Sequence, residues 1–307
     1  MLVNLKKVLV PAAKKGYAVG AFNFNNLEFL QAILEAAEEL KSPVIAQTSE
    51  GAIKYMGLDW VKALTQGPLK RTAVPVVLHL DHGKDFELIK KIIKSGFYSS
   101  VMFDGSALPY EENVKMTKTI VKLAHPKDIS VEAELGVLRG VEDNVSAHEH
   151  QLTDPKQAAD FARQTGCDAL AVAVGTSHGA YKFSGSPRLD LKRLESIRRL
   201  VKVPLVLHGA SGVLPRLLDL IKKDCDKISD CGRLAGAKGV PDEEIKQAIK
   251  LGVAKINIDT DLRIAFTAAV RDKILSDHNF FDPREYLKPA REMVKSVVKE
   301  KISLFRP

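Results

Sequence analysis

Apolar and polar positions along the chain follow two alternating rhythms. Short runs rich in β-branched and small residues read as strands: YAVGAFNF (17–24), PVIAQTS (43–49), PVVLHLD (75–81), SSVMFD (99–104), ISVEAEL (129–135), ALAVAVG (169–175), PLVLHG (204–209) and AKINID (254–259). Between them lie stretches such as NLEFLQAILEAAEELK, DFELIKKIIKSG and EENVKMTKTIVKLAH, whose apolar residues recur every three to four positions as on one face of a helix. Glycines in KSG (94–96) and KLG (250–252) supply helix stops. Repeated strand–helix units imply a parallel sheet, and eight of them spread evenly over 307 residues predict an α/β fold, a closed (β/α)8 TIM barrel. A doubly wound sheet would also alternate, but seldom with eight such units. The expectation is a single catalytic domain over 1–307 with a helical extension over about 262–307.

A barrel demands that chemistry collect at the carboxyl ends of its strands. The polar residues stand there: Asn23, Gln47 with Ser49, Asp81 with His82, Asp104, Glu132 with Glu134, His178, His208, and Asn257 with Asp259. In HLDHG (79–83), residues two apart share a strand face, so His79 and Asp81 point together into the mouth while His82 begins the loop. His178 in GTSHGAY and His208 in VLHGASG occupy equivalent tips of strands six and seven. Three imidazoles from strands three, six and seven can meet a borderline-soft divalent ion, best Zn2+, with a position left for substrate. His125, His148, His150 and His278 lie on helices or loops without partners and read as solvated.

Glu132 and Glu134 share a face of strand five, where two inward acids repel unless a cation or hydrogen-bond donors hold them. Glu132 reads as a buried group that orients a ligand histidine; Glu134 and Asp104 are either an accessory metal position or solvated acids. The long polar stretch VLRGVEDNVSAHEHQLTDP after Gly136 has the character of an active-site lid and carries Glu142, a mobile acid suited to proton transfer that on spacing alone reads as a surface glutamate. SHGA, HGASG and NIDTD end strands six to eight with small residues suited to wrapping an anion, which makes Gly179, Gly209, Ser211, Asp259 and Thr260 candidates for phosphate binding.

Composition narrows the setting. Cys167, Cys225 and Cys231 have neither an even count nor C-x-x-C spacing, which argues against a disulfide framework and a cysteine zinc site and points to a reducing, cytoplasmic compartment. No run reaches membrane-spanning length, and lysines break up the first twenty residues, so neither a membrane partner nor a signal segment is expected. The net charge of +8 is scattered over helix faces such as LKRLESIRRLVK, so solvated faces or attraction to an anionic small substrate account for it as well as nucleic acid would, and no nucleic-acid partner is expected. Schiff-base catalysis would need a lysine near the carboxyl end of a strand, whereas ALAVAVG of strand six has none and Lys255 stands near the start of strand eight. A metal-dependent barrel hydrolase would commonly show H-x-H on an early strand, where this chain has AFNF.

The set HLDHG, VEAELG, GTSHG, VLHGASG and NIDTDLR, in this order and spacing, resembles the class II, zinc-dependent fructose-bisphosphate aldolases, from GAFNF to FDPREYL. The resemblance implies reversible cleavage of fructose 1,6-bisphosphate to dihydroxyacetone phosphate and glyceraldehyde 3-phosphate, a glycolytic lyase reaction. It implies that His82, His178 and His208 ligate Zn2+, which Co2+ or Fe2+ can replace, with Glu134 and Asp104 at an alternative metal position. Asp81 matches the acid/base at the C4 hydroxyl and Glu142 the residue that moves the proton at C3. Gly179, Gly209, Ser211, Asp259 and Thr260 match the C1-phosphate site, where members often hold Na+ or K+. Asn23, Ser49 and Asn257 match substrate contacts. Arg284 matches an arginine that reaches the second phosphate across a subunit interface, implying a homodimer or homotetramer. The tagatose-bisphosphate aldolase branch is the alternative; it tends to carry Ala-Thr-Glu where this chain has Asp259-Thr260-Asp261, so the aspartate favours fructose.

Overall fold

Each of the eight apolar runs forms a strand. They are β1 (Val19–Asn23), β2 (Val44–Ser49), β3 (Val76–Gly83), β4 (Ser100–Phe103), β5 (Ser130–Leu135), β6 (Ala169–Val172), β7 (Leu205–Leu207) and β8 (Val253–Ile258). Every strand pairs in parallel with the next in chain order, and β8 closes on β1 with Val19 beside Lys255 and Phe22 beside Ile258. The result is a (β/α)8 barrel with helices between its strands. The computed structural model describes residues 1–137, 139–142, 145–147, 151–178, 188–223, 238–277, 279 and 281–306, giving the backbone alone for 139–142, 145–147, 177–178 and 223.

Local chemistry sets the helix boundaries. Asn4, Asn26, Ser49, Asp85, Asp154, Asp190 and Asp282 each cap a helix by accepting a backbone N–H two or three residues on. Gly96 ends the helix Phe86–Ser95 with φ at +70°, a conformation that a Cβ would strain.

Two apolar cores follow from strand alternation. Outward residues such as Phe22, Ala46, Leu78 and Ile256 pack with Phe29, Leu30, Ile33 and Ile89 of the surrounding helices. Inward residues Val19, Ala21, Ile45, Val77, Ala169, Ala171 and Val206 meet Leu5, Val8, Leu9 and Ala12 of the first helix, Leu5–Lys15, which closes the barrel floor. Leu5 and Leu9 are both fully buried, and each contributes about 1.5–3 kcal/mol of apolar burial. Two helices follow β8, Thr260–Ser276 and Pro283–Leu304; the second packs against Leu27–Glu39, where its Lys295 and Lys299 pair with Glu35 and Glu39.

Two features depart from the sequence reading. β3 runs on to Gly83, and its register with β4 slips between Leu80 and Gly83, so His82 belongs to an irregular strand end rather than to a loop. The stretch after β5 is partly strand: Arg139–Glu142 pairs antiparallel with Val145–Ala147 and in parallel with Ser177–His178. The backbone segments carrying Glu142 and His178 therefore belong to one small sheet.

Candidate active site at the barrel mouth

Strict alternation would send Asp81 and His82 to opposite faces of β3. The register slip and a left-handed backbone at His82, φ +47°, break that alternation. Such a conformation at a non-glycine residue costs on the order of 1–3 kcal/mol and persists where its surroundings over-determine it. Here Asp104, just past β4, supplies that determination by accepting from His82 Nδ1 at 3.1 Å. Asp104 is itself held by the amide and hydroxyl of Ser106, at 3.2 and 2.6 Å. Across the mouth, His208 donates its Nε2–H to Glu132 Oε1 at 2.9 Å. Each imidazole thus has one nitrogen engaged by a carboxylate, and the two remaining nitrogens, His82 Nε2 and His208 Nδ1, lie 2.9 Å apart.

Two lone pairs at that distance call for a cation or a proton between them. The surroundings favour positive charge: Asp81, His82 and His208 offer ligand atoms within 4.8 Å of one another, as do His82, Asp104 and Glu134. Glu134 Oε2 is buried without a hydrogen-bond partner among the described residues, 3.7 Å from His82 Nδ1 and 3.6 Å from His208 Nδ1. Burial, then Asp104, push the Glu134 carboxyl well above the usual range. Burial also opposes charge on His82, but Asp81, the Asp104 hydrogen bond and Glu134 outweigh it and raise that imidazole to about 10. Asp104 moves the other way, its burial outweighed by the hydrogen bond and charge of His82. An orphaned buried oxygen, facing imidazoles and crowded acids are the donor set that a divalent ion fits.

Beside the histidines, Asp81 is clamped on both oxygens. Asn23 Nδ2 donates to Oδ2 at 2.9 Å and Asn257 Nδ2 to Oδ1 at 2.8 Å. Gln47 Nε2 in turn donates to Asn23 Oδ1 at 2.7 Å. The sequence reading put Gln47 at the tip of β2 without a role; the register of Asn23 with Gln47 in neighbouring strands is the signal that links them. Asn257 Oδ1 is buried and without a hydrogen-bond partner among the described residues, available to a ligand hydroxyl.

The other candidates fall around this cluster. Ser49 ends β2 and its hydroxyl accepts from Ala52 N at 3.2 Å, capping Glu50–Met56. Gly209, with φ +60°, and buried Ser211 lie in the turn after β7. The sequence reading gave that turn to an anion, yet Gly212 N and Val213 N already donate to buried Asp261, at 2.9 and 2.7 Å. Asp261 also faces buried Lys301 Nζ at 3.4 Å, so the turn is anchored from the C-terminal helix. Asp259 and Thr260 are buried at the head of Thr260–Ser276, with Asp259 paired to Arg263 at 2.7 Å. Arg284 is exposed and pairs locally with Asp282, away from the histidine cluster. The side chains of His178 and Glu142, and Gly179 altogether, lie outside the described residues. His125 corrects its reading as partnerless: its Nε2 meets Asp168 Oδ2 at 2.9 Å, beside Lys6, because β5 and the first helix converge there.

With that geometry in view, the fructose-bisphosphate aldolase class-II family profile matches residues 3–307. The chain belongs to this family. Class II membership implies a divalent metal, in accord with the donor set at the mouth. The fructose-bisphosphate aldolase of Thermus caldophilus is 50% identical over 310 residues, 99% of this chain and 98% of that protein. The fructose-bisphosphate aldolase of Helicobacter pylori is 48% identical over 307 residues, with the same coverage. Among solved structures, the YdjI aldolase from Escherichia coli K12 has a TM-score of 0.78 at 35% identity, covering 99% of this chain and 97% of that one.

Proposed function

We propose that this chain cleaves fructose 1,6-bisphosphate reversibly, by a retro-aldol reaction, at the His82–His208 cluster, releasing dihydroxyacetone phosphate and glyceraldehyde 3-phosphate. The observation that carries the reading is the pair of facing imidazole nitrogens beside a carboxylate clamped by two amides. His82, His178 and His208 hold the cation, with Asp104 and Glu134 at an alternative position for it. A divalent cation held there supplies Lewis-acid polarisation of the substrate carbonyl, worth several kcal/mol of transition-state charge stabilisation.

Asp81 takes the C4 hydroxyl proton as the C3–C4 bond breaks. Its two amide donors fix the carboxylate plane, while each oxygen keeps a second lone pair for the proton. Asn257, with its unpartnered oxygen, and Asn23 and Ser49 orient substrate hydroxyls. Glu142 returns a proton to C3 of the three-carbon fragment, and run backward the same groups perform condensation. The C1 phosphate sits between the turn of Gly209 and Ser211, with Gly179, and the helix start at Asp259 and Thr260, where helix N–H groups and a Na+ or K+ ion offset its charge.

Finer parts of the reading rest on the resemblance and on composition. Zn2+ is the native metal, with Co2+ or Fe2+ as substitutes. The chain is one catalytic domain, with residues 262–307 as a helical extension, and it works as a cytoplasmic glycolytic enzyme without nucleic-acid or membrane partners. Among the described residues no helix is long and apolar enough to cross a membrane. Arg284, exposed on its helix, reaches the second phosphate in a neighbouring copy, so the enzyme is a homodimer or homotetramer.

The test compares cleavage of fructose 1,6-bisphosphate with that of tagatose 1,6-bisphosphate, before and after EDTA and after Zn2+ is restored. Chelator-sensitive, Zn2+-rescued activity that favours fructose supports the proposal. Preference for tagatose keeps the site and overturns the substrate; activity indifferent to prolonged EDTA overturns the metal.

A further inference from the structure

Two positions before the mouth residues, on the same faces of the same strands, lies a second polar layer. Asp81 has His79 behind it, Glu134 has Glu132, and Asn257 has Lys255. All three deeper side chains are fully buried. Lys255 stands in register with Val19 of β1 on one side and Val206 of β7 on the other, so its ammonium has apolar neighbours along the sheet.

Nζ reaches both oxygens of Glu132, at 3.0 Å from Oε1 and 2.9 Å from Oε2, and lies 3.5 Å from His79 Nε2. An ammonium can only donate, so His79 Nε2 must accept and its Nδ1–H donates to Ser100 Oγ at 2.8 Å. Glu132, paired with the ammonium and accepting from it at Oε1, also takes the Nε2–H of His208 at Oε1. That hydrogen bond leaves His208 Nδ1 as the nitrogen turned towards His82. If filling the lumen were the only requirement, an aliphatic side chain would do so without the desolvation that a buried ion pair suffers.

We propose that Lys255 is a positioning residue for the metal centre: through Glu132 it fixes the orientation and tautomer of His208, so that Nδ1 is preset for the cation. The inference rests on the metal reading of the mouth given above and assigns Lys255 no contact with substrate. The order of action is Ser100, His79, Lys255, Glu132, His208, running from the barrel wall to the ligand nitrogen.

The experiment measures the Zn2+ Kd of the metal-stripped full chain by competition with a chromogenic chelator, for wild type, Lys255→Met, Glu132→Gln and the double variant, with thermal melts of each metal-free protein alongside. The relay predicts a rise of about 10- to 100-fold in Kd for Lys255→Met in a protein that still melts cooperatively. It also predicts non-additivity: once Glu132 is glutamine, the Lys255→Met change costs little further affinity. A folded Lys255→Met protein with wild-type Kd, or losses that simply add, overturns the proposal. Should Lys255→Met fail to fold, Glu132→Gln reads the same relay from its other end, and unchanged Kd there overturns it too. Failure of the metal reading itself looks different, because the wild type would then bind no Zn2+ in competition.

Discussion

His82 and His208 meet edge to face, ring centroids 4.4 Å apart and planes at 75°, with Nε2 of one 2.9 Å from Nδ1 of the other. Because Asp104 and Glu132 occupy the far nitrogens, the contact is a vise that closes on whatever positive species lies between the rings. The acids around His82 favour a proton there when no metal is bound, and loading the site should expel it.

Proton release should therefore accompany metal binding. With His82 raised to about 10, the metal-free protein carries that proton across the neutral range, and the apparent metal affinity should rise by up to tenfold per pH unit between pH 6.5 and 9. Calorimetric titration of Zn2+ in buffers of different ionisation enthalpy counts the protons, and a pH-independent Kd would refute the assignment.

The same shift has a stability signature. A group whose folded pKa lies above its unfolded value contributes stability that is fully present below about 6.5 and lost as pH climbs towards about 10. Metal-free protein should accordingly melt at lower temperature at pH 9 than at pH 6.5, and His82→Ala should flatten that part of the profile.

Asp81→Asn keeps the side-chain size and removes the carboxylate proposed as the base. Cleavage should slow by roughly 10²- to 10⁴-fold while bound Zn2+, measured by elemental analysis, stays at the wild-type level. Loss of metal in parallel with activity would mean that Asp81 serves as a ligand instead.

Lys301→Met removes the cation that faces buried Asp261 and leaves its carboxylate with the Gly212 and Val213 amides alone. Breaking a buried pair from one side typically costs about 3–5 kcal/mol, so urea unfolding should shift by that order. Because the turn follows His208 and carries Ser211, KM for the bisphosphate should rise as well.

Much of this was written in periodicity. The strand runs and the polar residues at their tips were legible because a parallel barrel buries both strand faces and leaves its chemistry at one end. Three things escaped. The slip at Leu80–Gly83 depends on how β3 meets β4, which no local pattern encodes, and it is what turns His82 inward. Lys255 read as an ordinary lysine near a strand start because its partners, Glu132 and His79, lie on other strands. Asp261 served in sequence only to set this chain apart from the Ala-Thr-Glu branch, and its structural role came with the fold, which brought its carboxylate under the Gly212 amide.

The helix that seals the floor also sets the traffic. With Leu5, Val8, Leu9 and Ala12 stoppered into the lower lumen, the described residues close the floor and leave the mouth for ion and sugar. The barrel is a cup rather than a tube: on the proposed function a sugar seated at the mouth should cork an ion held beneath it, so saturating substrate should slow the loss of metal to a chelator.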